Sequence, residues 1–287
     1  MSKIYSYSYQ VNEDHPANEI VDIVLLTDLQ SLTLHGMPPD FSLEDLQCTN
    51  LTYLDLSEYF RGYSHNADQL FTFLKKLPHL THLNLSNQQC VASIRNQIWK
   101  GLESWGELPF DLCLSDNIIT PSLLRCLNPQ LTTYLGLQNC RLRDNAFINE
   151  LAHLTNTTHL DLSGNLFGKS FDISPLAQVL PLMPELCILN LPLHPYQGKI
   201  HLLEALLLCT SLNYLKMELK TAEEFTTMAK CVTALDLTQI CIHSTNPKVS
   251  NLKPFLTALP ETHSLRTLEL QGIEMDEKEV KSNCCRA

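Results

Sequence analysis

Glycine is scarce in this chain, at nine of 287 residues, and none lies in a Gly-x-Gly-x-x-Gly or Walker-type loop. A phosphate cradle for a nucleotide therefore has no basis in the sequence, and no cofactor is expected. Basic residues are few as well: 20 Lys and Arg stand against 31 Asp and Glu, for a formal net charge of -11. Such a surface repels nucleic acid and favours a basic partner. No apolar run reaches about 18 residues, so no membrane span is expected, and no apolar h-region follows a basic start, so no secretory signal is expected. The 11 cysteines include no Cys-x-x-Cys pair, which argues against a zinc site. No Gly/Ser-rich or Pro-rich run breaks the chain into separate domains.

Leucine, by contrast, is everywhere and regularly placed. A hexapeptide Leu-x-x-Leu-x-Leu, or a close variant, starts at Leu29, Leu51, Leu80, Pro109, Thr132, Thr157, Leu186, Leu212, Val232 and Leu265. Its central leucine falls at Leu32, Leu54, Leu83, Leu112, Leu135, Leu160, Leu189, Leu215, Leu235 and Leu268. In Leu80-Thr81-His82-Leu83-Asn84-Leu85 the apolar and polar residues alternate, which predicts a short strand with one buried face. Between strands the spacing turns helical, as at Leu70, Phe71, Leu74 and Leu77 in the run from Ala67 to Leu77 that ends before Pro78. Neither element can bury its apolar side alone, so neighbouring units must stack. The ninth place of the unit holds Asn117, Cys140 and Asn165, with Gln88 as a stand-in, side chains suited to bonding the backbone of the turn that leaves the strand.

These residues identify the chain as similar to the leucine-rich repeat family, and within it to the ribonuclease-inhibitor-like subtype. The resemblance implies an α/β solenoid, a horseshoe with a parallel sheet on the concave face, helices on the convex side and a role in protein binding. The expected organisation is a capping segment over residues 1–28, about ten repeats over 29–275 and an acidic cap or tail over 276–287. Tyr5, Tyr7, Tyr9 and Val11 alternate with polar residues and suggest an edge strand or hairpin, with a short helix possible over Ala17 to Leu26. The tail cluster Glu274, Asp276, Glu277 and Glu279 looks like the glutamate-rich signal of effectors that intracellular bacteria deliver by type IV secretion; its alternative is a solvated terminal helix. The Thr-x-Leu-Asn-Leu-Ser flavour of Thr81–Ser86 and Thr158–Ser163 is similar to the leucine-rich repeat proteins of that group. Cys90, Cys126, Cys140, Cys209 and Cys231 are scattered over the repeats, unlike the clustered pairs of secreted family members, so reduced thiols and a cytosolic environment are expected.

Function then depends on the residues between the leucines. The third place of the repeats holds Ser31, Tyr53, His82, Asp111, Tyr134, His159, Ile188, Tyr214, Ala234 and Thr267. The fifth holds Thr33, Asp55, Asn84, Cys113, Gly136, Asp161, Asn190, Lys216, Asp236 and Glu269. Both columns should line the concave face as stripes, one rich in Tyr and His and one acidic, with Glu58, Asp116 and Glu218 adding to the acid. The candidate partner-binding residues are Tyr53, Asp55, His82, Asn84, Asp111, Tyr134, His159, Asp161, Tyr214 and Lys216. They describe a non-enzymatic, monomeric module for a protein partner, of basic character and in the effector reading from a host cell. An adaptor of a ubiquitin ligase is the alternative, although no F-box is recognisable. Catalysis has one sketch only, Cys113 as nucleophile with His82 as base, and an open strand face offers it no water-excluding pocket.

Overall fold

Alternation of leucine with polar residues produces strands wherever the spelling is strict. The computed structural model describes residues 5–10, 27–36, 41–60, 67–105, 111–142, 145–165, 172–193, 197–244 and 249–272. Contacts concentrate in two units, Met1–Cys140 and Arg141–Ala287. The first holds six parallel strands in chain order: β1 (Ser6–Gln10), β2 (Ser31–His35), β3 (Tyr53–Asp55), β4 (His82–Asn84), β5 (Asp111–Cys113) and β6 (Tyr134–Gly136). The second holds β7 (His159–Asp161), β8 (Ile188–Asn190), β9 (Tyr214–Glu218), β10 (Gln239–His243) and β11 (Thr267–Gln271), also parallel. Parallel neighbours need a crossover, and helices supply most of them. These are α1 (Ala67–Leu74), α2 (Ala92–Trp105) and α3 (Pro121–Arg125) in the first unit. The second has α4 (Asn145–Leu151), α5 (Ser174–Val179), α6 (Lys199–Leu206), α7 (Ala222–Ala234) and α8 (Val249–Ala258).

The central leucines stack in register, Leu32, Leu54, Leu83, Leu112 and Leu135 in one unit and Leu160, Leu189 and Leu215 in the other, each at most 2% exposed. Complete burial of one such side chain is worth about 1.5–3 kcal/mol, so the column is a substantial apolar contribution to each unit. The core continues into the helices through Leu70, Phe73, Ile98, Trp99 and Leu102, and the Trp99 indole N–H donates to Ile118 O at 2.8 Å.

The edge strand expected around Tyr7 and Tyr9 forms, whereas one repeat centre moves. Ser6–Gln10, inside the expected capping segment, forms an edge strand parallel to β2 that places Tyr7 beside Leu32 and Tyr9 beside Leu34. The ninth centre is not Leu235 but Ile240, which pairs with Leu215 and Leu268. The cause is local: Thr221 and Glu224 form a capping box that starts α7, the helix runs on to Ala234, and Leu235 ends it by donating its N–H to Cys231 O. The β-branched pair Ile240 and Ile242 then makes the strand. Gln239 and Cys241 therefore take the third and fifth places assigned above to Ala234 and Asp236. The helix expected over Ala17 to Leu26 and the acidic cluster from Glu274 lie outside the described residues.

The turn that leaves each strand has its own chemistry. Its eighth place is left-handed throughout the first unit, at Gly36, Glu58, Asn87, Asp116 and Asn139 with φ between 54° and 62°, and again at Gly164 in the second. The ninth place ties the turns together as expected. Asn117 Nδ2 donates to Leu85 O at 2.8 Å and Leu114 O at 2.9 Å, while Gln88 N donates to Asn117 Oδ1 at 2.9 Å. Gln88 repeats this one repeat earlier: its Nε2 donates to Leu56 O at 2.6 Å, and its Oε1 accepts from Phe60 N at 3.0 Å. Cys140 Sγ donates to Leu114 O at 3.1 Å, and in the second unit Asn165 Nδ2 donates to Leu162 O at 2.8 Å.

Candidate binding face

Side chains alternate across a strand, so residues between the leucines form the second face of each sheet. Register in the first unit sets Tyr53, His82, Asp111 and Tyr134 side by side, with Asp55, Asn84, Cys113 and Gly136 two places further on. In the second unit His159 is followed by Ile188 and Tyr214, and Asp161 by Asn190, Lys216, Cys241 and Glu269. The ten candidates thus fall into two groups, six in one unit and His159, Asp161, Tyr214 and Lys216 in the other.

The first group is a braced row. Tyr53 is 38% exposed, the His82 side chain is 50% exposed, and their ring centroids lie 6.1 Å apart at an interplanar angle of 37°. His82 Nε2 stands 2.5 Å from Asp111 Oδ2, and its Nδ1 lies 2.7 Å from the Thr81 hydroxyl. The other Asp111 oxygen accepts from the Thr133 hydroxyl. A Cβ at Gly136 would stand 2.9 Å from Tyr134 Oη and 3.1 Å from Cys113 Sγ, so the glycine leaves the space that the Tyr134 ring uses. Side chains held in this way lose little freedom when a partner arrives.

The fifth place serves the fold more than the surface. Asp55 Oδ1 accepts from Ser57 N at 2.8 Å, Asn84 Oδ1 from Ser86 N at 2.9 Å and Asp161 Oδ1 from Ser163 N at 2.8 Å. Each is an Asx turn that shapes the exit from the strand. Asn84 then donates to Asp55 Oδ2 at 3.0 Å, and Asn190 to Asp161 Oδ2 at 3.2 Å. At Asn190 the residue two places on is Pro192, which has no N–H, and Asn190 Oδ1 is buried without a hydrogen bond. Asp55, at 9% exposed, is therefore a poor surface charge. Burial and then the Asp55 charge hold the Tyr53 hydroxyl above the usual tyrosine range.

Glu218, expected on the acidic wall, is wholly buried. Lys199 Nζ lies 2.7 Å from its Oε2 and Lys220 Nζ 3.4 Å from its Oε1, with the Lys199 side chain only 3% exposed. Glu58 and Asp116 belong to the left-handed turns, where Asn87 donates to Glu58 at 2.7 Å and Asn139 to Asp116 at 2.8 Å. Tyr214 is pushed above the usual tyrosine range by burial first, then by Cys241, Glu269 and Asp161.

The arrangement gives no catalytic relay at the sketched pair. Cys113 Sγ donates to Ser115 Oγ at 3.5 Å, and both nitrogens of His82 are taken by Thr81 and Asp111. His35 Nε2 approaches both Asp55 Oδ1, at 3.3 Å, and Ser57 Oγ, at 2.8 Å. A Ser-His-Asp relay needs the carboxylate on the other ring nitrogen. Burial raises the thiols of Cys48 and Cys209 to about 11 and that of Cys231 to about 12, which keeps them protonated and unreactive. Among the described residues no group of three or more His, Cys, Asp or Glu side chains could hold a metal ion, and no helix is long and apolar enough to cross a membrane.

His35, Thr81 and Thr133 were missed by the sequence reading, yet threonine recurs at the second place in Thr52, Thr81, Thr133, Thr158 and Thr238. Thr52, Thr81 and Thr238 donate to Gln30 O, Thr52 O and Asn213 O of the preceding repeat at 3.0–3.2 Å, and Thr158 Oγ1 lies 2.8 Å from His159 Nδ1, a pairing like that of Thr81 with His82. That repetition was the available signal.

No protein-family model matches this chain, and no curated protein matches it in sequence. Solved structures do resemble it. It is similar to the leucine-rich repeat-containing protein LegL7 from Legionella pneumophila, with a TM-score of 0.50 and 19% identity over 89% of this chain and 97% of that one. It is also similar to TLR13, solved as a TLR13–ssRNA13 complex, with a TM-score of 0.55 and 22% identity over 91% of this chain. The match spans 38% of the TLR13 chain. The stacked parallel strands and crossover helices thus have the leucine-rich repeat fold, of the α/β class.

Proposed function

We propose that this leucine-rich repeat solenoid is a non-enzymatic module that captures a protein partner on the strand face opposite its leucines. The observation that carries the reading is the row Tyr53, His82, Asp111 and Tyr134, whose two leading rings are exposed and in which Thr81 holds His82 and Thr133 holds Asp111. Rigid rings with a polar tip are the material of binding hot spots. His159, Asp161, Tyr214 and Lys216 extend the same kind of surface in the second unit. The TLR13 structure contains single-stranded RNA, but a net charge of -11 and the lack of Lys or Arg in β1–β6 favour protein over nucleic acid here. The test is affinity capture from eukaryotic cytosol with the wild type, a Tyr53→Ala, Tyr134→Ala variant and an Asp161→Lys variant. Truncating two hot-spot rings should weaken capture of the principal partner by about 100-fold or more, and a partner retained equally by all three proteins overturns the reading.

The setting that fits best is a translocated bacterial effector working in a host cytosol. Supporting it are the likeness to LegL7 of Legionella pneumophila, the acidic cluster Glu274, Asp276, Glu277 and Glu279, and the nine described cysteines, all free thiols. A translocation reporter fused to this chain should enter host cells from a strain with an intact type IV system. Entry should fall to background when residues from Glu274 onward are removed; equal entry by both forms sinks the secretion signal.

A further inference from the structure

Charge is divided unevenly along this chain. Met1–Cys140 contains 15 Asp and Glu against 7 Lys and Arg, whereas Arg141–Ala287 contains 16 against 13. Within the first unit the described bases Lys75, Lys76, Arg95, Lys100 and Arg125 all lie in the helices or directly after α1, and no strand position of β1–β6 holds Lys or Arg. Its strand face therefore presents rings and the Asp111 carboxylate, with only histidines as cations. Asp111, its side chain 21% exposed, stands in the middle of the row, between His82 on one strand and Tyr134 on the next. The exposed turn acid Asp116 lies five residues beyond it.

We infer that the strand face of Met1–Cys140 takes a basic segment of its protein partner through arginine, with the guanidinium on the Asp111 carboxylate and its plane against the flanking rings. The inference rests on the protein-binding reading above and specifies its partner. Arginine fits better than lysine for two geometric reasons. A guanidinium carries its donors in a flat fork that matches a carboxylate, and its plane stacks on aromatic faces, whereas an ammonium is a compact point charge. The row offers both features at strand spacing: the Tyr53 and His82 rings on one side, the Tyr134 ring on the other and a carboxylate between them. His82 Nε2 already holds Asp111 Oδ2 at 2.5 Å, in the position of one arm of that fork. With half of its side chain exposed, His82 is placed to yield that position to the incoming donor.

The experiment is fluorescence anisotropy with the full chain and three labelled peptides identical except for three positions, occupied by arginine, lysine or citrulline, together with a single-stranded RNA of equal length. The arginine peptide should bind at least about 5-fold more tightly than the lysine peptide, and the citrulline peptide and the RNA should not bind in the same range. Asp111→Asn should weaken the arginine peptide by about 10-fold or more, and Tyr53→Ala should remove most of the preference over lysine. Glu204→Gln on α6 should leave the titration unchanged, and far-UV circular dichroism should show all variants folded. Equal affinity for arginine and lysine peptides, insensitivity to Asp111→Asn, or preferential RNA binding would overturn the inference. Loss of cytosolic capture by the Tyr53→Ala, Tyr134→Ala variant alongside such a result would leave the general protein-binding reading standing.

Discussion

Lys199→Met should cost about 3 kcal/mol of stability, read as a lower urea midpoint at unchanged slope. Glu218 is 0% exposed and Lys199 4%, and their charged groups meet at 2.7 Å. Removing the lysine leaves a buried carboxylate whose remaining cation, Lys220, stands 3.4 Å from the other oxygen and is itself partly exposed. That cation offsets part of the loss, which is why the expected figure sits at the low end of the range for broken buried pairs. Glu218→Leu alone should cost a similar amount, because the Lys199 ammonium then loses the Glu218 carboxylate while its side chain is only 3% exposed. The double variant Lys199→Met, Glu218→Leu should recover most of the loss, since two apolar groups of similar size need no compensation. A double-mutant cycle measures this directly. Two single variants each within 0.5 kcal/mol of wild type would show that the pair contributes nothing.

That ion pair also marks where sequence reading stops. Strand centres from Leu32 to Leu215 were legible because period-2 alternation admits one register only, and a slip by one residue would turn every leucine to the wrong face. Leu235 misled because the spelling Leu235-Asp236-Leu237 also fits the end of a helix, and the capping box at Thr221 fixed which element won. Among the candidate site residues, spacing alone placed Tyr53, His82, Asp111 and Tyr134 on one row. It did not show that Asp55, Asn84 and Asp161 fold back on Ser57, Ser86 and Ser163, although a carboxylate or amide two places before serine is a recognisable Asx pattern. Nor did it show Glu218 buried, because its partner is 19 residues earlier on another element. A trace of it was present: Lys199 opens the stripe that continues through Leu202, Leu203 and Leu206, where a helix should be apolar.

The largest effect in the first unit should come from a residue whose role the spelling did announce. Asn117, 3% exposed, donates through Nδ2 to Leu85 O at 2.8 Å and Leu114 O at 2.9 Å and accepts at Oδ1 from Gln88 N at 2.9 Å. Asn117→Ala abandons one buried N–H and leaves Leu85 O without that donor, at about 1–3 kcal/mol for each group, so the loss should reach about 3 kcal/mol. Because Gln88 in turn accepts from Phe60 N at 3.0 Å and donates to Leu56 O at 2.6 Å, the damage should spread to the preceding turn. Hydrogen exchange at Phe60 and Gln88 should accelerate together. The substitutions should rank by which half of the amide survives. Asn117→Cys keeps a donor, as Cys140 shows by its 3.1 Å contact with Leu114 O, but loses the acceptor for Gln88 N, so it should lose about half as much. Asn117→Asp keeps the acceptor but sets a carboxylate oxygen against two carbonyl oxygens, so it should be the worst of the three at neutral pH. Urea midpoints in the order wild type, Cys, Ala, Asp would establish the ninth place as a two-sided hydrogen-bond clamp. An Asp midpoint at the wild-type value with Ala the lowest would show instead that Asn117 acts by filling space, because Asp keeps its shape and Ala does not.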